Sequence, residues 1–475
     1  MNKIQMNINQ LPKNICFWII IFFLIRLVGI TNPPLEVGHN WRQTTVAMVS
    51  RNYLEIDPNI FFPRIDIGGE KTGITGMEFP IFNYIIFIIA KLFGYQHWYG
   101  RLINLIISSI GLWFFYKLIY KYFTHQIAFN STIILAASVW FQFSRKIMPD
   151  TFSMSLIIAC IYYGSNYLEN NNIRYRTLYL VSYVGLISLG LLSKLPSGFL
   201  LIIFGFFIFN SKISPKRKII FIIFSFLAFI PVIIWYYYWV PFLVKKYEFW
   251  HFFMGKSLRE GFSEIVLNLN ETLSRFYDTA LKFIGFAVFI LGLVFSILLK
   301  DRKIYFLLLL TFFSFCVFIF KAGYNFPHHN YYIIPFVPIM ALIAGYGLTN
   351  FKNRKIAALL LVGIVVEGIA NQHQDFRIKD IDKGIVNLEE DLDKVSLKND
   401  LIIINSGNHP TPMYFAHRKG WVSDNDQIKD EKHIESLKDR GLKYAIILKK
   451  SFGTDISLPQ YKKVLENDNY SIYRL

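Results

Sequence analysis

Long apolar runs alternate with short polar loops from Ile15 to Ile369. The runs lie at 15–31, 101–119, 126–144, 150–168, 177–193, 197–210, 218–241, 279–299, 303–321, 330–349 and 355–371. Many approach the ~20 residues that carry a helix across a bilayer, so about eleven spans are expected. The run at 197–210 is short, but polar groups on both sides make it cross. The loops alternate in kind. Lys117–Gln126, Glu169–Arg176, Asn210–Lys218, Lys300–Lys303 and Asn350–Lys355 are basic and otherwise plain. Lys and Arg collect in cytoplasmic loops, which puts these five inside. Glu36–Glu78, Ser144–Asp150, Ser193–Gly198, Phe242–Asp278 and Lys321–Asn330 then share the outer face. They hold Glu, Asp, His, Lys and Arg beside Pro and Gly, which makes that face the place to look for chemistry.

Segment 79–94, FPIFNYIIFIIAKLFG, breaks the rhythm. If it crossed, every later loop would flip and the basic loops would lie outside. It is also short and contains Lys91, so a juxtamembrane helix in the outer interface is expected. Another interfacial helix is expected after Asn40, and a turn-rich stretch at 61–80. Lys3 and Lys13 precede the first run, which is long for a signal-peptide core and lacks a small-x-small cleavage site. It is expected to be an uncleaved span with its N-terminal side inside.

From about residue 373 Asp, Lys, Glu and Asn replace Phe and Ile. LIIIN (401–405) and KYAIILK (443–449) predict buried strands, and DEKHIESLKDRG (430–441) an amphipathic helix ending in Gly. MYFAHRKG (413–420) predicts a short helix or turn. The expected fold class is mainly α. It is a polytopic transmembrane helical bundle with outer-face juxtamembrane helices and a small C-terminal α/β domain. The expected domains are 1–372, with the first outer loop at 32–100, and 373–475, which an odd number of spans puts outside.

Composition supports this class. The chain is 54% hydrophobic, and its 47 Phe and 28 Tyr fall largely in runs that a soluble protein could not hide. A net charge of +18 would suggest nucleic acid in a soluble protein. Here much of the excess sits in the inner loops, where orientation explains it, and no nucleic-acid partner is expected. Basic residues on the outer face call for an anionic lipid or phosphate. Cys16, Cys160 and Cys316 lie in apolar runs and suit small core residues.

The first outer loop gathers Glu36, Asp66 and Glu78 with His39, Arg42 and Arg64. The fork of Arg42 suits phosphate oxygens, while a surface cation near lipid headgroups is the plain alternative. Arg145 and Lys146 precede Asp150 on the outer side, and two cations with an acid favour a site over snorkelling. Lys194 is nearly alone between two apolar spans. It either snorkels or meets a phosphate at the lipid edge. His328 and His329 share a loop with Lys321 and suit phosphate or acceptor contacts, or a structural role. Their spacing predicts no metal site, though a divalent ion shared by Glu78 and a loop histidine stays open. Arg26 and Glu367 lie toward the outer ends of apolar spans, where snorkelling would account for them. Ser406-Gly407-Asn408-His409-Pro410 suits a strand-to-helix turn more than an anion cradle.

Several short motifs occur in an order that resembles the GT-C glycosyltransferases. They are Glu78-Phe79-Pro80 entering a helix that ends at Phe93-Gly94, Arg101-Leu102, Met148-Pro149-Asp150, Lys194-Leu195-Pro196, and His329-Asn330-Tyr331-Tyr332-Ile333-Ile334-Pro335. The nearest relatives in this resemblance are the dolichyl-phosphate-mannose-protein mannosyltransferases and the bacterial aminoarabinose transferases, over roughly residues 12–370. It implies transfer of a sugar from a polyprenyl-phosphate carrier to a lipid, glycan or protein acceptor, on the outer face of a bacterial plasma membrane. It also implies a carboxylate that accepts the acceptor's proton and cations that hold the departing phosphate. The family usually carries an acidic pair early in the first loop, where this chain has Arg42 and Gln43. The acid's role then falls to Glu78 first, Asp66 second, or Glu36. Donor contacts fall to Arg42, Lys194, Arg145, Lys146, His328 and His329, with His39 and Asp150 nearby. A transporter or flippase of lipid-linked glycans and a non-catalytic membrane scaffold are the alternatives. Clustering of polar groups at one face, with no internal repeat, favours the enzyme.

Overall fold

The computed structural model describes residues 12–170, 172–249 and 255–475. Lys3, used above to orient the first span, lies outside them, as do residues 250–254 of the loop Phe242–Asp278. The described residues form two compact units. One holds 12–28, 101–235 and 255–373, and the other 29–100, 236–249 and 374–475.

The first unit is helical, and each expected run that falls in it is helical too. Tyr99–Tyr122, Arg174–Ser193, Pro215–Tyr247 and Arg302–Ala322 are individually long and apolar enough to cross a membrane. Counting each bent pair as one span raises the number to six among the described residues. By length and composition these helices suit a chain that crosses a membrane several times. Eleven crossings would require the shorter and broken helices to cross as well.

The breaks have local causes. Ser138 stops the run at 126–144 by capping a new helix, its side chain accepting from the Trp140 amide at 3.2 Å. Leu195–Ile203 winds as a 3-10 helix with Pro196 in its first turn. Pro231 removes a backbone donor, and a π-helical stretch follows at Ile234–Trp239. Glycine permits close helix packing. A Cβ on Gly347 would stand 2.8 Å from the Cα of Gly292 on the neighbouring helix.

Two intramembrane charges find partners inside the protein instead of snorkelling. Arg26 is fully buried and donates to the Phe22 carbonyl at 2.8 Å and to the Ser144 hydroxyl. Glu367 accepts from the amides of Phe283 and Ile284 at 3.2 and 2.8 Å, capping the start of the Lys282–Leu298 helix. A carboxylate there satisfies orphan amides and meets the positive end of the helix dipole.

The second unit is built on a five-stranded sheet in the order β2-β1-β3-β5-β4. The strands are β1 Leu401–Ile404, β2 Gly420–Val422, β3 Leu442–Leu448, β4 Lys462–Glu466 and β5 Tyr470–Arg474. β1 runs parallel to β2 and β3, and β5 antiparallel to β3 and β4. The expected helix in 430–441 forms at Glu431–Lys438, and a short helix at Thr411–Ala416. One hydrophobic core joins this sheet to the loop at 32–100. Met48, Val49 and Tyr53 of the Asn40–Glu55 helix and Phe87 of the Ile81–Phe93 helix pack with Ile402, Ile404, Ile446 and Ile472. The Asn40–Glu55 helix is buried continuously from Arg42 to Tyr53, so protein encloses it and it does not lie on a lipid surface. The Ile81–Phe93 helix buries Phe82, Ile86 and Ala90 and exposes Ile88, Leu92 and Phe93.

Candidate active site

The Asn40–Glu55 helix carries one cluster. His39 enters it with a left-handed φ of 62°, an uncommon conformation for a residue with a Cβ. In the first turn Gln43 donates from Nε2 to Glu36 Oε2 at 3.0 Å. Arg42 forms an ion pair with Glu78. All four side chains belong to buried residues. The two positions at which the resemblance expects acids thus hold an amide and a guanidinium. Each engages a carboxylate from elsewhere in the same loop.

Asp66 sits differently. Its Oδ2 accepts from Arg51 Nη2 and its Oδ1 from Asn52 Nδ2, both at 2.8 Å. Arg51 also donates to the Tyr414 carbonyl at 3.0 Å, and its guanidinium stands 4.7 Å from the Tyr414 ring centroid. Burial would lower the Arg51 pKa, but Asp66 and its other neighbours outweigh burial and hold it above its ordinary value. The Gly420 amide donates to the Asp66 carbonyl at 3.0 Å, and the Gly69 amide to the Gly420 carbonyl at 2.8 Å. The loop is thereby tied to the edge strand β2. Both carboxylate oxygens of Asp66 are committed to holding this loop.

At the other end of the helix, His417 bridges two acids. Its Nε2 lies 2.7 Å from Glu55 Oε2 and its Nδ1 2.6 Å from Glu389 Oε1. Burial pushes the imidazole pKa down, but hydrogen bonds to Glu389 and Glu55 outweigh it and raise it above 6.5. Burial likewise opposes the Glu389 carboxylate, yet His417 and Lys398 bring its pKa down to about 2.

The helical unit carries the second cluster. Asp150 occupies the first turn of the Pro149–Glu169 helix, a favourable place for an acid. Lys194, in extended backbone between two helices, reaches its Oδ1 at 3.6 Å and lies 5.4 Å from the Tyr331 ring centroid. Arg145 and Lys146 are each 1% exposed. Arg145 donates to the Val28 carbonyl at 2.8 Å, and Lys146 lies 5.9 Å from the Phe143 ring centroid. Asn104 shapes their loop, donating from Nδ2 to the carbonyls of Phe143 and Lys146 at 2.9 Å and of Met148 at 3.1 Å. His329 stacks on Tyr331 with centroids 5.4 Å apart. His328 is exposed, stacks on Tyr324 at 3.8 Å, and has Nδ1 2.8 Å from the Tyr324 carbonyl. Among the described residues no three His, Cys, Asp or Glu converge as metal ligands.

The fold has known counterparts. It matches ArnT from Cupriavidus metallidurans bound to undecaprenyl phosphate, with a TM-score of 0.61 at 12% identity, over 96% of this chain and 98% of that one. The apo state of that protein gives a TM-score of 0.59 at 12% identity, over 96% and 97%. The archaeal oligosaccharyltransferase AglB from Archaeoglobus fulgidus, in complex with an inhibitory peptide and a dolichol-phosphate, gives 0.57 at 12% identity, over 91% of this chain and 69% of that one. Residues 78–235 match the family described as dolichyl-phosphate-mannose-protein mannosyltransferase. The fold is GT-C. No curated protein is similar in sequence.

The family match begins at Glu78 and takes in Arg145, Lys146, Asp150 and Lys194. Sequence reasoning passed over Arg51, Asn52 and Asn104, which hold Asp66 and the Arg145–Lys146 loop. Arg51 had a signal, since it follows the apolar Val46, Met48 and Val49 in one short helix and needs a counter-charge there. Asn104 had none, because its Nδ2 donates to backbone carbonyls some 40 residues on.

Proposed function

We propose that this chain is a glycosyltransferase that moves a sugar from a polyprenyl-phosphate carrier to an acceptor at the outer face of a bacterial plasma membrane. The observation that carries the reading is the burial of acid–base pairs, Arg42 with Glu78 and Asp150 with Lys194, in a chain with a GT-C fold over nearly its whole length. ArnT and AglB have been seen with undecaprenyl phosphate and dolichol-phosphate, which supports a lipid-phosphate donor here.

In this reading Glu78 is the base. The bond from the sugar's anomeric carbon to the carrier phosphate oxygen breaks, and the electron pair goes to the phosphate. The acceptor oxygen bonds the anomeric carbon, and its proton passes to the carboxylate. Arg42 would leave Glu78 for the phosphate as the donor enters, which frees the acid and neutralises the leaving group in one exchange. Lys194, Arg145, Lys146, His328 and His329 are the other proposed donor contacts. Glu36 is the reserve acid. Asp66 is assigned the loop rather than the proton, because both its oxygens already accept hydrogen bonds at 2.8 Å.

Single-turnover transfer from labelled polyprenyl-phosphate sugars tests this. Glu78→Gln should lower the rate by ~10²–10⁴-fold while donor binding survives. Near-normal transfer by Glu78→Gln with collapse in Glu36→Gln would move the base to Glu36. Normal transfer in both would overturn the assignment to this loop, and no transfer by the wild type from any such donor would overturn the function.

A further inference from the structure

The helical unit contains a cavity of about 380 Å³ that the proposed chemistry does not use. Its walls are apolar side chains from five helical segments, including Ile158, Leu200, Leu307, Ile339 and Leu342. Its polar lining residues are Tyr122, Glu169, Asn210 and Lys303. These four residues belong to four of the five basic loops that charge alternation puts inside. Glu169 is already paired there with Lys121 at 2.9 Å, and it accepts from the Tyr122 hydroxyl at 2.7 Å. The mouth is therefore left cationic, with Lys303 exposed and Lys212, Lys216, Arg217 and Lys218 on the adjoining loop.

An apolar chamber whose polar lining comes from basic loops fits an amphiphile with one negative end. We infer that the cavity holds an acyl chain of an anionic phospholipid from the inner leaflet, with its headgroup phosphate on the basic rim. The transferase reading assigns the carrier's phosphate to the opposite face, so the carrier would have to enter this chamber tail-end first from the wrong side. The exclusion of the carrier rests on that reading, while the cavity and its basic rim do not.

The full-length protein, delipidated in detergent, would be titrated with phosphatidylglycerol or phosphatidylcholine, with bound lipids counted by native mass spectrometry. Phosphatidylglycerol should bind more tightly than phosphatidylcholine. Lys303→Glu should weaken it by at least about fivefold, the worth of one lysine beside an anionic surface. Leu200→Phe and Leu342→Phe, which fill the cavity from two different segments, should each lose the tightest lipid. Lys303→Glu lies at the surface and keeps the test open if the cavity variants misfold. Equal affinity for both lipids, or an unchanged lipid count in folded cavity variants, would overturn the inference. Displacement of phosphatidylglycerol by undecaprenyl phosphate would overturn it too, and give the chamber to the carrier's tail.

Discussion

Replacing Asp66 with Asn removes one charge from a buried pair and keeps the side chain's shape. The Arg51 and Asp66 side chains are only 5% and 10% exposed, so solvent does little to screen them. The variant leaves the Arg51 guanidinium buried among the Asn52 amide and the Tyr414 carbonyl and ring without its counter-charge. Breaking a buried pair from one side costs ~3–5 kcal/mol. For a unit of this size each kcal/mol moves the melting temperature by ~2–4 °C, so the loss should be roughly 6–20 °C. Differential scanning fluorimetry in detergent, with limited proteolysis of the outer loop, would read it. The double variant Arg51→Met, Asp66→Asn removes both charges and should recover most of the loss, because the cost lies in the orphaned cation. A shift under 2 °C in Asp66→Asn would refute the structural assignment of this acid. So would a double variant that loses as much as the two single variants added together.

The His417 bridge makes stability depend on pH. The raised imidazole pKa contributes stability that is full below pH 6.5 and is lost as pH rises through the folded value. The depressed Glu389 contributes above pH 4.5 and loses its share as pH falls toward about 2. The wild type should therefore exceed His417→Gln in melting temperature most between pH 4.5 and 6.5, and the gap should shrink by pH 9; a gap that widens with pH would sink this account. Topology has its own test: in a cysteine-free background, Asn353→Cys should resist an impermeant thiol reagent in intact cells, and labelling from outside would reverse the charge-alternation argument.

The sequence alone determined the helical segments, the strands at 401–405 and 443–449, and the amphipathic helix in 430–441. Hydrophobic period and capping residues are local, and those elements follow from them. It also singled out Glu78, Arg42, Asp150 and Lys194, because charges beside long apolar runs need a reason. Tertiary structure alone decided their partners. Gln43 reaches Glu36 across 7 positions and Arg42 reaches Glu78 across 36. Asp66 is taken by Arg51 and Asn52. No residue spacing encodes such pairings, since they arise where the loop closes on its own helix. The joining of the outer loop to the C-terminal sheet was hidden for the same reason. Met48, Val49 and Tyr53 announce a buried face, but only the folded chain supplies Ile402 and Ile446 to cover it. A hydrophobic face specifies burial without naming what buries it, because the force is non-directional.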